Sequence, residues 1–246
     1  MSSVASQLIL HPTVSKTFKV LGTTTGRDKI YRAVQYFSRF FAWYLISRGL
    51  KLDAVRWNSL KSHLALGRKL LRLGKPVENL QAALRAAQTT GYLWEQLTTI
   101  ARNLSYFGYL SYDGVAWASA IHFITLKPAT ASKVNRTAAR LWLTGILFSL
   151  ANGLIKGGRL TKETNELRAL GEKDIGSQNA LQAKLRALDE LRASTRQQFV
   201  IDILDIWIPA TTLSLVNVND GVVGIFGFLS SVLALRSHWN AVNAKK

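Results

Sequence analysis

The sequence predicts an all-α fold: an integral membrane helical protein with amphipathic interfacial helices in its N-terminal half. Three observations lead there. Two late segments are almost free of charge, the region around residues 60–77 sorts into an apolar and a cationic arc at helical period, and the positive charge is crowded into the first half of the chain. The chain has 246 residues, 48% of them hydrophobic, and a formal net charge of +18. It contains no cysteine, which excludes disulfide frameworks, thiolate metal sites and cysteine nucleophiles.

From Met1 to Tyr112 there are 16 basic residues against four acids, a net +12, whereas the stretch from Gln197 onward is neutral. Such a basic half seeks a polyanion, either nucleic acid or an anionic membrane surface. The first residues lack a basic stretch leading into an apolar core, so no secretory signal is expected.

The first strong helix is expected to open at a capping box, Thr25-Gly26-Arg27-Asp28, and to run through about Arg48. It interleaves Tyr31, Tyr36, Phe37, Phe40, Phe41, Trp43 and Tyr44 with Arg32, Arg39 and Arg48. Aromatics beside arginines can stack bases. The downstream apolar segments, which no soluble nucleic-acid-binding domain needs, favour a membrane partner and no nucleic acid.

Rotating Leu60 to Val77 at about 100° per residue places Leu60, Leu64, Leu66, Leu70, Leu71, Leu73 and Val77 in one half and Lys61, Arg68, Lys69, Arg72 and Lys75 in the other. A helix of this kind lies in an interface, its leucines roughly 5 to 10 Å into the headgroup and acyl boundary and its cations on lipid phosphates. Each cation near an anionic leaflet contributes about 1 kcal/mol, and each well-buried leucine about 1.5 to 3 kcal/mol. These twelve residues are the expected membrane-binding set. Gly74, followed by Lys75-Pro76, should end one helix and open another, which is expected to run from Pro76 to about Arg102.

Asn103 to Leu126, rich in tyrosine and with Asp113 as its sole acid, is a third and weaker spanning candidate. Leu141 to Ile155 is uncharged and bracketed by Arg140 and Lys156; with flanks that can reach a headgroup layer, the candidate transmembrane helix covers about 137–158. Within it Gly145, Ser149, Gly153 and Gly157 recur every fourth residue and line one face, a helix-packing or oligomerisation surface. Residues 161–198 mix charges around Leu181, Leu185, Leu188 and Leu191, as expected of a solvated amphipathic helix. In Ile206 to Leu235 the only charge is Asp220, expected at an interface, so that Gly221 to Leu235 forms a short span ending in Arg236, His238 and Trp239. The expected organisation is therefore 1–102 as a basic membrane-surface region, 103–160 as an aromatic and apolar region, 161–198 as a charged amphipathic segment and 199–246 as a C-terminal anchor. Two spans is the conservative count and four the upper one. The lysine and arginine asymmetry keeps the N-terminal half cytosolic.

No phosphate loop, nucleophile elbow, metalloprotease or kinase pattern occurs, and no two histidines stand three or four apart. No catalytic residue, metal or cofactor is expected. Asp202 and Asp205, three apart beside an apolar segment, could serve as a cation or proton site, and with Asp220 could line a solute pathway.

Gly26-Arg27-Asp28-Lys29-Ile30 leading into Arg32 and Gln35-Tyr36-Phe37, together with Arg68-Lys69-Leu70-Leu71-Arg72-Leu73-Gly74-Lys75-Pro76, resembles the fungal peroxin-eleven family over the whole chain. Many members carry an aromatic where this chain has Leu71. The resemblance implies a peroxisomal membrane protein that elongates the membrane before fission, self-assembles into a homo-oligomer, tubulates by an amphipathic helix mapping onto Leu60 to Val77, and engages a dynamin-like GTPase and fission adaptors. It also implies, as an alternative, a pore for small metabolites.

Overall fold

A computed structural model describes residues 4–171 and 178–244; among them every regular element is an α-helix. In order these are α1 (Val4–Ile9), α2 (Pro12–Leu21), α3 (Thr24–Ser47), α4 (Lys51–Leu71), α5 (Lys75–Gln88), α6 (Leu93–Ala120), α7 (Pro128–Gly171), α8 (Gln178–Asp205), α9 (Trp207–Thr212) and α10 (Asp220–Asn243). The all-α membrane fold class stands. Residues 172–177, inside the charged amphipathic segment, and 1–3, on which the signal-peptide reading partly rests, lie outside the described residues.

Local chemistry sets the boundaries. The cap of α3 is Thr23, two residues ahead of the expected box: its hydroxyl accepts from the Gly26 amide at 3.0 Å. Asp28 is thereby free of capping and turns elsewhere. After α3 the chain reverses at Gly49, whose φ of 80° suits glycine. Gly74 and Lys75-Pro76 separate α4 from α5 as expected. The helix expected over 76–102 is two helices, because Thr89-Thr90-Gly91 interrupts it. The Gln96 amide donates to the carbonyls of Ala86, Ala87 and Thr89, satisfying the open end of α5.

The chain packs as two compact units, each assembled from distant segments: Met1–Leu73, Gly114–Leu126 and Val216–Lys246 in the first, Gly74–Asp113 and Lys127–Leu215 in the second. The small-residue face of α10 fits a helix near the start of the chain.

In the first unit α3 is the central helix. α10 runs antiparallel along it: Thr23 Oγ1 meets His238 Nε2 at 2.7 Å at one end, and Arg39 donates to Asp220 at 2.6 Å toward the other. Between these ties Gly221, Gly224 and Gly227 face Trp43, Phe40 and Tyr36. A Cβ on Gly224 would stand 2.6 Å from the Phe40 backbone nitrogen, so this approach requires glycine. On its other side α3 holds α4, with Trp57 edge-on to Phe41 at 4.8 Å and Arg68 bonded to Asp28 at 2.9 Å.

In the second unit the central helix is α7. α6 packs antiparallel on it, with Tyr109 stacked on Trp142 and Gly145 against Ser105 and Tyr106. α8 packs antiparallel on another side, with Ser149 donating to Asp202 and Gly153 against Phe199. The end of α8 and short α9 thus both pack on α7.

Candidate membrane interface

Two helices among the described residues are long and apolar enough to cross a membrane, α7 and α10. With 44 residues α7 is about 66 Å long, roughly twice the hydrocarbon thickness and more than one crossing needs. The uncharged run between Arg140 and Lys156 is its candidate span, and Leu147, Phe148 and Leu154 of that run are exposed. α10 likewise presents Ile225, Leu229 and Val232 at helical spacing, each about two-fifths exposed. The third candidate falls on α6, whose aromatics are partly committed to α7 through Tyr109.

Polar groups inside α7 are matched by partners, as hydrocarbon requires. Asn152 Nδ2 donates to the Glu95 carbonyl and to the Thr98 and Thr99 hydroxyls. Arg159 donates to both Glu95 oxygens and to Glu163, and lies 4.6 Å over the Tyr92 ring.

The two arcs of α4 are used in the reverse of the expected way. The cationic arc faces inward: Arg68 is 6% exposed, and Lys61, Lys69 and Arg72 are half-buried. Arg68 donates from Nε to Asp28 and from Nη1 to Gln35. Burial opposes the Asp28 charge, but the Arg68, Arg72 and Lys29 cations outweigh it and hold the carboxyl below its ordinary range. Burial, with Arg72 nearby, pulls Arg68 below its usual value. Placing Arg68 on lipid phosphate is therefore corrected, because it serves as the internal counter-ion of Asp28. Lys75 is tied to Glu78 at 2.7 Å.

The leucine arc faces outward. Leu60 is 39% exposed and Leu70 50%; Leu73 and Val77, beyond the end of α4, are also exposed, and Leu64, Leu66 and Leu71 are half-buried. Leu52 and Val55 extend the same outer surface by about two turns. None of the seven leucine-arc residues is enclosed.

The small-residue face of α7 packs within the chain. Gly145 receives α6, Ser149 bonds Asp202 and Gly153 receives Phe199, while at Gly157 a Cβ would meet nothing within 4 Å. Its reading as an oligomerisation surface is corrected for the first three positions, which are already covered. The aromatics that could have stacked bases are engaged likewise: Phe37 and Phe41 on Trp57, Tyr36, Phe40 and Trp43 on the α10 glycines. Of the three acids of the solute pathway, Asp202 is buried and bonded by Ser149 and Gln198, Asp205 is buried, and Asp220 pairs with Arg39 in the other unit.

Sequence reasoning missed the roles of Asp28 and Gln35 and the Gly221-Gly224-Gly227 contact. The last had a visible signal, glycine at every third position in an apolar helix.

The family model for Peroxisomal biogenesis factor 11 (PEX11) matches residues 14–239. The chain belongs to the PEX11 family. Its similarity to curated relatives is low but runs end to end. It is 26% identical over 260 residues to Peroxisomal membrane protein PMP30A of Candida boidinii, covering 98% of this chain and 100% of that one. To Peroxisomal membrane protein PMP27 of Saccharomyces cerevisiae it is 25% identical over 242 residues, covering 97% and 99%. To Peroxisomal biogenesis factor 11 of Schizosaccharomyces pombe it is 25% identical over 238 residues, covering 93% and 96%. No solved structure matches. The family model and these relatives carry the names of peroxisomal biogenesis factors and peroxisomal membrane proteins.

Proposed function

We propose that this PEX11 protein binds, bends and elongates the peroxisomal membrane during proliferation and fission, with the outward leucine arc of α4 as the inserting element and the N-terminal half on the cytosolic side. The observation that carries the proposal is the orientation of α4. A surface helix of a soluble protein turns its apolar side to the core, whereas here Arg68 turns inward and Leu60 and Leu70 turn outward. Leucines inserted into one leaflet add area to that leaflet alone, and the membrane relieves the mismatch by bending. Because α3 ties α4 to α10, a spanning candidate, the wedge is anchored beside a transmembrane segment. Self-assembly into oligomers, and engagement of a dynamin-like GTPase and fission adaptors, belong to the same proposal and rest on the family likeness.

The chain has no cysteine, so single-cysteine labelling is clean. In the full-length protein reconstituted into anionic vesicles, a fluorophore at Leu60→Cys or Leu70→Cys should be quenched by a shallow lipid-borne nitroxide and protected from aqueous iodide. Full iodide access with the vesicles present would exclude insertion of α4.

A further inference from the structure

Between α7 and α8, wholly within the second unit, lies a groove of about 560 Å³ that membrane bending does not use. Its wall toward the uncharged run of α7 is apolar, made by Leu154 and Phe199. Its far end carries Arg192 and Arg196, with the Asp189 carboxylate also in the lining, so that the two arginines leave a net positive charge there. Four residues apart on α8, these two guanidinium groups share one helix face. Arg192 is committed only weakly, at 3.4 Å from the Thr161 hydroxyl and 3.8 Å from Asp189, and Arg196 has no ion-pair partner among the described residues. The floor is Gly157 and Gly158, where a Cβ would meet nothing within 4 Å. Helix-interior glycine is unfavourable, and packing does not require it here; its effect is to keep the groove open.

The axis of the groove matches the profile of a membrane edge. The uncharged run ends at Lys156, and because α8 is antiparallel to α7 the sequence along the groove runs from Phe199, opposite Gly153, to Arg192, opposite Thr161. With the uncharged run of α7 in a bilayer, the apolar walls would face the hydrocarbon and the arginines the headgroups. The volume is that of a small-molecule site.

We infer that this groove holds one anionic glycerophospholipid, its phosphate between Arg192 and Arg196 and its glycerol and upper acyl carbons against Leu154 and Phe199. The guanidinium pair supplies charge-assisted hydrogen bonds to phosphate oxygens, and the apolar wall separates a lipid from a free anion.

The test is native mass spectrometry of the full-length protein in mild detergent with an equimolar mixture of phosphatidylglycerol and phosphatidylcholine, a readout independent of membrane curvature. One phosphatidylglycerol per chain should be retained in preference. Arg192→Gln with Arg196→Gln should lower retention about tenfold, the scale set by losing a charge-assisted contact. Gly157→Leu, which fills the floor without touching the arginines, should lower it similarly while the circular dichroism spectrum stays as in the wild type and the melting midpoint does not fall. Arg186→Gln, on α8 but outside the groove, should change nothing. Equal retention of both lipids, undiminished retention in Gly157→Leu, or displacement by inorganic phosphate as readily as by lipid would each overturn the inference.

Discussion

The Arg68 guanidinium donates to the Asp28 carboxylate at 2.9 Å with both side chains buried between α3 and α4, and this bond decides which side of α4 meets the outside. Turning Arg68 inward carries Lys61 and Arg72 with it, since all three lie within one arc of the helix, and turns Leu60 and Leu70 out. Removing one partner of a buried ion pair leaves the other charge uncompensated. Arg68→Ala should therefore destabilise the first unit by about 3 to 5 kcal/mol, lowering the melting midpoint by on the order of 10 °C. Arg56→Ala, on the exposed surface, should shift it hardly at all. Thermal circular dichroism in detergent checks both, and equal small shifts would remove the anchoring role of Arg68.

The same pair carries a pH dependence. The folded-state pKa of Asp28 lies below its ordinary value, so the carboxylate stabilises the folded state at pH above the ordinary carboxylate range, and that stabilisation is lost as pH falls through the folded pKa. Melting curves from pH 7 to about pH 3 should fall more steeply for the wild type than for Asp28→Asn, which begins lower at pH 7. Parallel curves would contradict the assignment.

Gly157 of α7 and Gly224 of α10 should behave oppositely. Gly224→Ala forces a Cβ against the Phe40 backbone, and an overpacked contact of this kind costs about 1 to 3 kcal/mol or more. Gly157→Ala meets nothing and should stabilise its helix by about 0.5 to 1 kcal/mol. Comparing their melting midpoints with the wild type checks the pair; a stabilising Gly224→Ala would mean that α3 and α10 do not approach as described.

Local pattern made much of this legible. Periodicity and charge found α3 within a residue or so and the C-terminal half of α4, which begins at Lys51 and not at Leu60; Gly74-Lys75-Pro76 marked the α4–α5 break, and the uncharged runs found the cores of α7 and α10. The break at Thr89-Thr90-Gly91 was also written locally and was passed over in favour of a longer amphipathic pattern. Periodicity separates the two arcs of α4 but cannot say which faces inward, because the residue that decides is Asp28, 40 positions away. The pairing of α3 with α10 is longer in range still: Tyr36 and Gly227 meet across nearly the whole chain, and only their shapes, not their neighbours in sequence, specify the contact. The Gly145 to Gly157 stripe announced close packing without naming the partners, which are α6 and α8 of the same chain.

Tubulation of anionic liposomes by the full-length protein, followed by electron microscopy, tests the remodelling account most directly. Leu60→Glu with Leu70→Glu changes only exposed positions, so the fold should survive with an unchanged circular dichroism spectrum while tubules give way to smooth vesicles. Tubules as abundant and as narrow as those of the wild type, from a variant that still reconstitutes, would contradict it.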